Sequence, residues 1–191
     1  FTKKISLVVP VYSINLLSID KYLVKFLEII NVTNFLPENL KTKNANKLPL
    51  FYLSKAVINA LDTILSPVLQ IFAPDIILIE NQPVLKNPKM KTVQILIFGY
   101  LIQKYIDNPD INIVMFNARD KLQIYTGPPV ECNLKSKYSR RKKLSILYTQ
   151  WIFENNNIEN SIITKFRNSK KKDDLADCYL QAVTYVFKTL V

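Results

Sequence analysis

Apolar residues in the first part of the chain occur in runs of strand length rather than at helical spacing. Three β-branched and aliphatic runs, Ile5–Val11, Ile14–Ile19 and Tyr22–Val32, are separated by short breaks at Pro10–Ser13 and Asp20–Lys21. Short breaks of this kind join neighbouring antiparallel strands. The pattern therefore predicts an antiparallel meander of three strands.

The middle of the chain alternates helical and strand patterns. The polar stretch Asn34–Leu48 predicts a loop, whereas Phe51–Phe72 has apolar residues at three- and four-residue spacing and predicts a helix. Asp75–Glu80 and Ile111–Phe116 are short aliphatic runs, as found in parallel strands that are buried on both faces. A second helix, predicted at about Thr92–Ile106, would connect these two strands.

The last third of the chain predicts helices. Lys135–Lys143 is a basic segment that opens a third helix, and Asn155–Lys172 predicts a polar linker. The last helix has the spacing of one buried face, formed by Leu175, Tyr179, Val183, Val186, Phe187 and Leu190. Three antiparallel strands followed by alternating helices and strands predict an α/β fold, in which helices flank a mixed five-stranded sheet. We expect a single domain over residues 1–191.

Carboxylates are concentrated at two places where ligand sites form. Glu80 ends a predicted parallel strand, and ligands bind at the carboxyl ends of such strands. Asp173, Asp174 and Asp177 lie at the start of the last helix. Asp173 suits a helix N-terminus, but Asp174 and Asp177 project to the same side, where they repel each other unless a cation neutralises them. We therefore expect a metal site with oxygen ligands.

Composition narrows the choice of metal and partner. The 191-residue chain contains no His and only two Cys, Cys132 and Cys178, which excludes Cys/His zinc sites and His-dependent nucleophilic triads. With two Gly, it has no Gly-rich phosphate-binding loop. The formal net charge of +11 favours a polyanion as partner. No apolar run approaches a bilayer span and no signal peptide is recognisable, so we expect an intracellular protein with no membrane association.

Several segments together resemble one family. Ile79–Pro83 with Lys86–Met90, and Lys172–Ala182, are similar to motifs of the RuvC-like Holliday junction resolvases of poxviruses and other large DNA viruses, within the RNase H-like superfamily. Asn117–Leu122 and the basic Lys137–Lys143 also resemble that family. The resemblance covers most of the chain.

The resemblance implies a fold, an activity and a set of residues. It implies an RNase H-like homodimer that binds four-way DNA junctions and cuts two strands symmetrically with Mg²⁺ in a two-metal site. Glu80, Asp174 and Asp177 are the implied catalytic residues and metal ligands. The implied location is the replication site or the virion of a large DNA virus, in the host cytoplasm.

One motif departs from the family. The first strand of these resolvases reads Ser-hydrophobic-Asp-x-Gly-x-Lys-Asn, and here Ser6 matches, whereas Val8, Pro10, Tyr12 and Ser13 replace the Asp, Gly, Lys and Asn. The missing Asp is the one that bridges the two metals in the family. Its loss should remove most of the activity, because the remaining acids cannot hold both metals in line. We therefore expect a protein that binds branched or duplex DNA but cleaves it poorly or not at all.

Two alternatives stay open. In the first, Ser18-Ile19-Asp20 is the true motif, Asp20 is the first metal ligand, and the protein is an active junction endonuclease. In the second, the protein is a viral structural or scaffold protein derived from a resolvase, and its fold is retained for contacts with other viral proteins.

Basic residues on either side of the acidic motifs are the expected phosphate contacts. Lys and Arg side chains that neutralise phosphates make binding depend steeply on salt. The expected DNA-binding residues are Lys86, Lys89, Lys91, Lys121, Lys137, Arg140, Arg141, Lys142, Lys143, Lys170, Lys171 and Lys172.

Overall fold

The computed structural model describes residues 6–14, 22–42, 44, 47–85, 87–117, 121–156 and 158–189, and for 6–14 and 22–28 it describes the backbone alone. The chain forms two compact units. The first is built mainly from Ile29–Phe116, and the second from Val8–Glu28 together with the chain from Asn117 onward. The single-domain organisation expected over residues 1–191 stays a prediction.

The first N-terminal strand is longer than the sequence suggests. Strand β1 spans Ser6–Ile14 and strand β2 spans Tyr22–Asn31, and they form a two-stranded sheet. The predicted break at Pro10–Ser13 is wrong, because β1 continues through Pro10. Proline cannot donate to a strand ladder but is accepted at a sheet edge, and both strands of a two-stranded sheet are edges. The predicted strand Ile14–Ile19 lies almost entirely outside the described residues.

The region predicted as a loop contains two short helices. A 3-10 helix spans Val32–Phe35 and helix α1 spans Glu38–Lys41. Leu36, Leu40 and Leu48 are buried there. These leucines are spaced too widely among lysines and asparagines to give a repeating pattern, so the loop prediction is wrong for this part of the chain.

A long helical segment forms much of the core of the first unit. It comprises helix α2 (Leu50–Ala60), a π-helical turn (Leu61–Leu65) and helix α3 (Ser66–Phe72). The helix predicted from the apolar spacing is thereby confirmed, and its buried stripe consists of Leu53, Val57, Leu61, Leu65 and Leu69. By length and composition the segment could also cross a membrane, but core helices meet the same criterion. Its regular buried stripe is that of a core helix.

A parallel strand pair follows in the same unit. Strand β3 spans Ile76–Glu80, helix α4 spans Pro88–Tyr105 and strand β4 spans Asn112–Phe116. β3 and β4 are parallel, with Glu80 opposite Phe116 at their carboxyl ends. The two predicted parallel strands are therefore confirmed. Helix α4 begins four residues earlier than predicted, because Asn87 caps it and Pro88 occupies the first turn, where its missing N–H has no cost.

The predicted sheet differs from the observed one. The α/β class is confirmed, but the described strands form two separate two-stranded sheets, β1–β2 and β3–β4, instead of one five-stranded sheet. Alternation of apolar residues identifies a strand, but it does not say which strands pair. The lateral pairing is a property of the folded chain.

The second unit is mainly helical. Helix α5 spans Lys137–Asn155, α6 spans Asn160–Asn168 and α7 spans Lys172–Thr189. The predicted polar linker Asn155–Lys172 is wrong for the residues of α6, which buries Ile162 and Phe166. The ring of Phe153 meets Phe166 at 5.3 Å and Tyr179 at 4.9 Å, both edge to face. These aromatic contacts join the three helices.

Helix α5 packs against α7 through small polar residues. The buried positions of α5 are Ser145, Thr149 and Phe153, whereas the leucines at positions 144 and 147 are only partly buried. The Ser145 hydroxyl donates to the Arg141 carbonyl oxygen at 3.0 Å, which satisfies it inside the helix. The apolar positions therefore did not indicate the packed face of α5, because short side chains occupy two of its three buried positions.

An aromatic cluster fixes the loop before α5. The ring of Tyr125 stacks on Tyr148 with centroids 3.7 Å apart and meets Trp151 edge to face at 5.4 Å. Its hydroxyl donates to the Pro128 carbonyl oxygen at 3.0 Å. A Cβ atom on Gly127 would lie 2.5 Å from the Tyr125 side chain and 2.8 Å from Trp151. Only glycine fits there without displacing an aromatic ring.

The two glycines of the chain should respond to alanine in opposite ways. Gly127→Ala should lower the free energy of unfolding by about 1–3 kcal/mol, because the added methyl group overpacks the aromatic cluster. Gly99→Ala is the matched control: Gly99 is exposed on α4 with nothing within 4 Å of an added Cβ, and the change should raise stability by about 0.5–1 kcal/mol. Urea unfolding followed by circular dichroism measures both. Equal effects of the two substitutions would contradict the packing described here.

Candidate functional site

The carboxylates identified in the sequence lie in different units. Glu80 is the exposed last residue of β3 in the first unit. Asp173, Asp174 and Asp177 lie in the first two turns of α7 in the second unit. Asp20 and Lys86 lie outside the described residues, and for Val8 the structure describes only its backbone in β1. The two carboxylate regions therefore belong to separate units.

The chain beyond Glu80 is attached to helix α4. The Asn81 amide donates to the Phe116 carbonyl oxygen at 2.9 Å, which extends the β3–β4 pairing by one residue. The Gln82 amide donates to the side-chain oxygen of Gln94 at 2.9 Å, and the Gln94 amide group donates to the sulfur of Met115 at 2.8 Å. Gln94 is buried, so these bonds are shielded from water.

A lysine completes this attachment. The Lys91 ammonium donates to Gln94 Oε1 and to Asn81 Oδ1, each at 3.0 Å. Gln94 was not identified from the sequence. The signal for Gln94 in the sequence was its position beside Val93, on the buried stripe of a helix. A polar side chain in such a place needs a hydrogen-bonding partner.

Gln94 should therefore contribute to stability more than its neighbours on the helix surface. Gln94→Ala leaves the Gln82 amide without its acceptor and should lower the free energy of unfolding by about 1–3 kcal/mol. Gln103→Ala, at an exposed position of the same helix, should change it by less than about 0.5 kcal/mol. Chemical denaturation measures the free energy of unfolding of both variants. Equal stability of the Gln94→Ala and Gln103→Ala proteins would show that the hydrogen bonds of Gln94 do not stabilise the chain beyond Glu80.

Each aspartate at the start of α7 forms an ion pair with a lysine. Asp173 pairs with Lys142 from α5, and Lys171 lies 3.1 Å from Asp174 on the same helix start. The ammonium of Lys121, from the turn that follows residue 120, lies 2.5 Å from Asp177 Oδ2. Three carboxylates are thus matched by three ammonium groups within one unit.

The pair of Asp177 and Lys121 is the most deeply buried of the three. The side chain of Lys121 is 9% exposed and that of Asp177 is 24% exposed, whereas Lys142 and Lys171 are 36% and 40% exposed. Lysine is almost never buried at this level without a partner. The second carboxylate oxygen of Asp177 is buried and accepts no hydrogen bond within the described part of the chain. One oxygen of this carboxylate is thus satisfied and the other is not.

The pair of Asp173 and Lys142 alters both pKa values. Burial alone would raise the pKa of Asp173, but the hydrogen bond and the charge of Lys142 outweigh it and lower this pKa. Burial alone would lower the pKa of Lys142, and the hydrogen bond to Asp173 instead raises it. The ring of Tyr138 lies 5.2 Å from the same ammonium. Both partners are therefore charged at neutral pH.

The predicted DNA-binding residues differ in how far their charges are engaged within the protein. Lys89 donates to the Leu48 carbonyl oxygen at 2.6 Å, and Lys91, Lys121, Lys142 and Lys171 have the partners given above. The guanidinium of Arg140 contacts the Leu134 carbonyl oxygen at 3.3 Å and is exposed. Exposed side chains at the start of α5 and before α7 are Lys137, Arg140, Arg141, Lys143 and Lys170, and Lys172 is partly exposed.

The expected metal site combines Glu80 with Asp174 and Asp177, which lie in different units, and it stays a prediction. Among the residues that the structure describes, no three Cys, Asp or Glu side chains form a group able to hold a metal ion. Within the second unit, the charges of the three aspartates are already balanced by three lysines. A divalent cation at these carboxylates would therefore meet three ammonium groups and no net negative charge.

Comparisons with known proteins agree with the fold. No protein-family model matches the chain. A solved structure of the yeast mitochondrial Holliday junction resolvase Ydc2 superposes with a TM-score of 0.60 and 15% identity, covering 94% of this chain and 74% of that one. The chain has a Holliday junction resolvase-like fold. At this identity the similarity concerns the fold alone.

A sequence relative comes from a large DNA virus. The chain is 33% identical over 162 residues to the uncharacterized protein L451 of Acanthamoeba polyphaga mimivirus. The aligned region covers 80% of this chain but only 38% of L451, so the chain spans well under half of that relative.

Proposed function

We propose that this resolvase-like protein binds branched DNA through a basic surface of its second unit and cleaves it poorly or not at all. The observation that carries the proposal is the match of nearly the whole chain, 94%, to a Holliday junction resolvase fold. The net charge of +11 adds the electrostatic requirement for a nucleic-acid partner. Mimivirus L451 supports a role in a large DNA virus, and we propose a homodimer at the viral replication site or in the virion.

The proposed DNA-binding surface consists of exposed basic side chains at the start of α5 and before α7. Lys137, Arg140, Arg141 and Lys143 lie within the first two turns of one helix. Lys170 precedes the acidic start of α7, to which Lys142 binds. Exposed basic groups on one helix neutralise successive phosphates without reading the base sequence, which suits a protein that recognises the shape of DNA.

Weak cleavage is proposed from the first strand. Val8 stands where the resemblance places the aspartate that bridges two metal ions, and valine offers no ligand atom. Mg²⁺ is the implied cofactor, with Glu80, Asp174 and Asp177 as its implied ligands. The two aspartates do not fit that role as they stand, since each is bound to a lysine. We therefore propose no metal-dependent step for this chain.

The DNA-binding surface can be tested with variants of equal charge. The double variant Lys137→Ala, Lys143→Ala should bind a four-way junction more weakly than the wild type. The slope of log affinity against log salt should fall by about 2, because two phosphate contacts are lost. The control carries Lys47→Ala and Lys55→Ala, two exposed lysines of the first unit. Fluorescence anisotropy across a salt series measures both, and equal losses would contradict a localised surface.

The same titrations separate the proposal from the scaffold function. A clear preference for four-way junctions over linear duplex of the same length supports descent of the binding site from a resolvase. Equal affinity for the two DNAs, or an affinity that does not change with salt, would favour a scaffold protein whose charge is incidental.

Cleavage can be tested on the same junction. With Mg²⁺ or Mn²⁺ in excess, the wild-type protein should produce no more symmetric nicks than the Glu80→Gln protein, because the first metal ligand is absent. Product analysis on denaturing gels measures this. Nicking that Glu80→Gln abolishes would overturn the proposed loss of activity, and nicking that Asp20→Asn also abolishes would identify Asp20 as the first ligand.

A further inference from the structure

The buried ion pair at the start of α7 suggests how this protein tolerates its acidic cluster. Asp174 and Asp177 lie three residues apart on one helix, where like charges destabilise the helix unless they are neutralised. A divalent cation is one means of neutralising them, and lysines are another. The structure shows lysines at all three aspartates of this region.

The three lysines are not equivalent. Lys142 and Lys171 are partly exposed, and ion pairs that water can reach contribute little to stability and are easily broken. The side chain of Lys121 is 9% exposed, and its ammonium lies 2.5 Å from Asp177 Oδ2. Removing one partner of a pair that is shielded from water is strongly destabilising, because the other charge is left uncompensated. Only the Lys121 pair is therefore held firmly in place.

We infer that the ammonium of Lys121 acts as a built-in counter-ion at Asp177 and takes the place of a divalent metal ion there. A fixed ammonium neutralises this partly buried carboxylate, so α7 forms without metal. It also repels a divalent cation from the same carboxylate. This inference deepens the proposed loss of metal-dependent cleavage and rests on it for its functional meaning.

The second oxygen of Asp177 makes the inference testable. That oxygen is buried and accepts no hydrogen bond among the described residues. Replacing Lys121 with a neutral side chain would leave the whole carboxylate available, in a region that again carries net negative charge. Carboxylate oxygens are the ligands that Mg²⁺ and Mn²⁺ prefer. Removing the lysine should therefore create a metal site that the wild-type protein lacks.

The experiment compares the full wild-type chain with Lys121→Met in the absence of DNA. Mn²⁺ binding is measured by electron paramagnetic resonance of the free ion, and thermal unfolding is measured in EDTA and in excess Mn²⁺. Lys121→Met should bind Mn²⁺ at least about tenfold more tightly than wild type, since a like charge a few ångström away is removed. It should melt at a lower temperature in EDTA and recover part of the loss with Mn²⁺. The melting temperature of the wild type should be the same in both solutions.

Two further variants assign the effect to the pair. Lys135→Met removes an exposed lysine of the second unit that is not one of the proposed DNA-binding residues, and it should behave as wild type. Adding Asp177→Asn to Lys121→Met should abolish the gain in Mn²⁺ binding.

The inference is overturned if wild-type protein binds Mn²⁺ in a manner that Asp177→Asn abolishes, or if Lys121→Met binds no more tightly than wild type. The first measurement needs only the wild type and Asp177→Asn, so it holds even if Lys121→Met does not fold. Because no DNA is present, failure of the proposed DNA binding leaves this result unchanged, and the two failures are distinguishable.

Discussion

The second unit depends on the burial of one face of helix α7. Leu175, Tyr179 and Val183 are buried, so the helix cannot rotate to release its acidic start into water. Asp177 lies between buried positions one turn into the helix and is itself partly withdrawn from solvent. An unpaired carboxylate there would cost several kcal/mol, and a cation must compensate it. The packing of α7 thus creates the requirement that Lys121 meets.

In the first unit, neutral groups satisfy the backbone amides beside the carboxylate. β3 and β4 end side by side, and the backbone beyond Glu80 leaves the sheet with amides that need acceptors. Gln94 supplies one of them from the buried face of α4, and Phe116 supplies another. Both carboxylate regions are therefore supported by polar side chains that the adjoining elements hold in place.

The positive charge of the chain has two separate uses. Some lysines neutralise carboxylates or cap carbonyl groups inside the protein, as Lys121 and Lys89 do. Others extend from the start of α5, where a phosphate backbone can reach them. The exposed basic groups at the start of α5 are the ones that we propose bind DNA. The net charge alone did not distinguish the two groups.

The sequence by itself determined the α/β class, the parallel strands that end at Glu80 and Phe116, and the buried stripe of α2 and α3. It also determined most of the buried face of α7, although Phe187, predicted to lie on that face, is exposed. The helices follow from a local period of apolar residues and the strands from short continuous apolar runs, and both patterns report burial directly. Only the tertiary structure decided that β1 runs through Pro10, that α5 packs through Ser145 and Thr149, and that the described strands form two sheets. It also decided which lysine meets which aspartate, since Lys121 and Asp177 are far apart in the chain. Such pairings depend on how packed elements meet, and no local period records that.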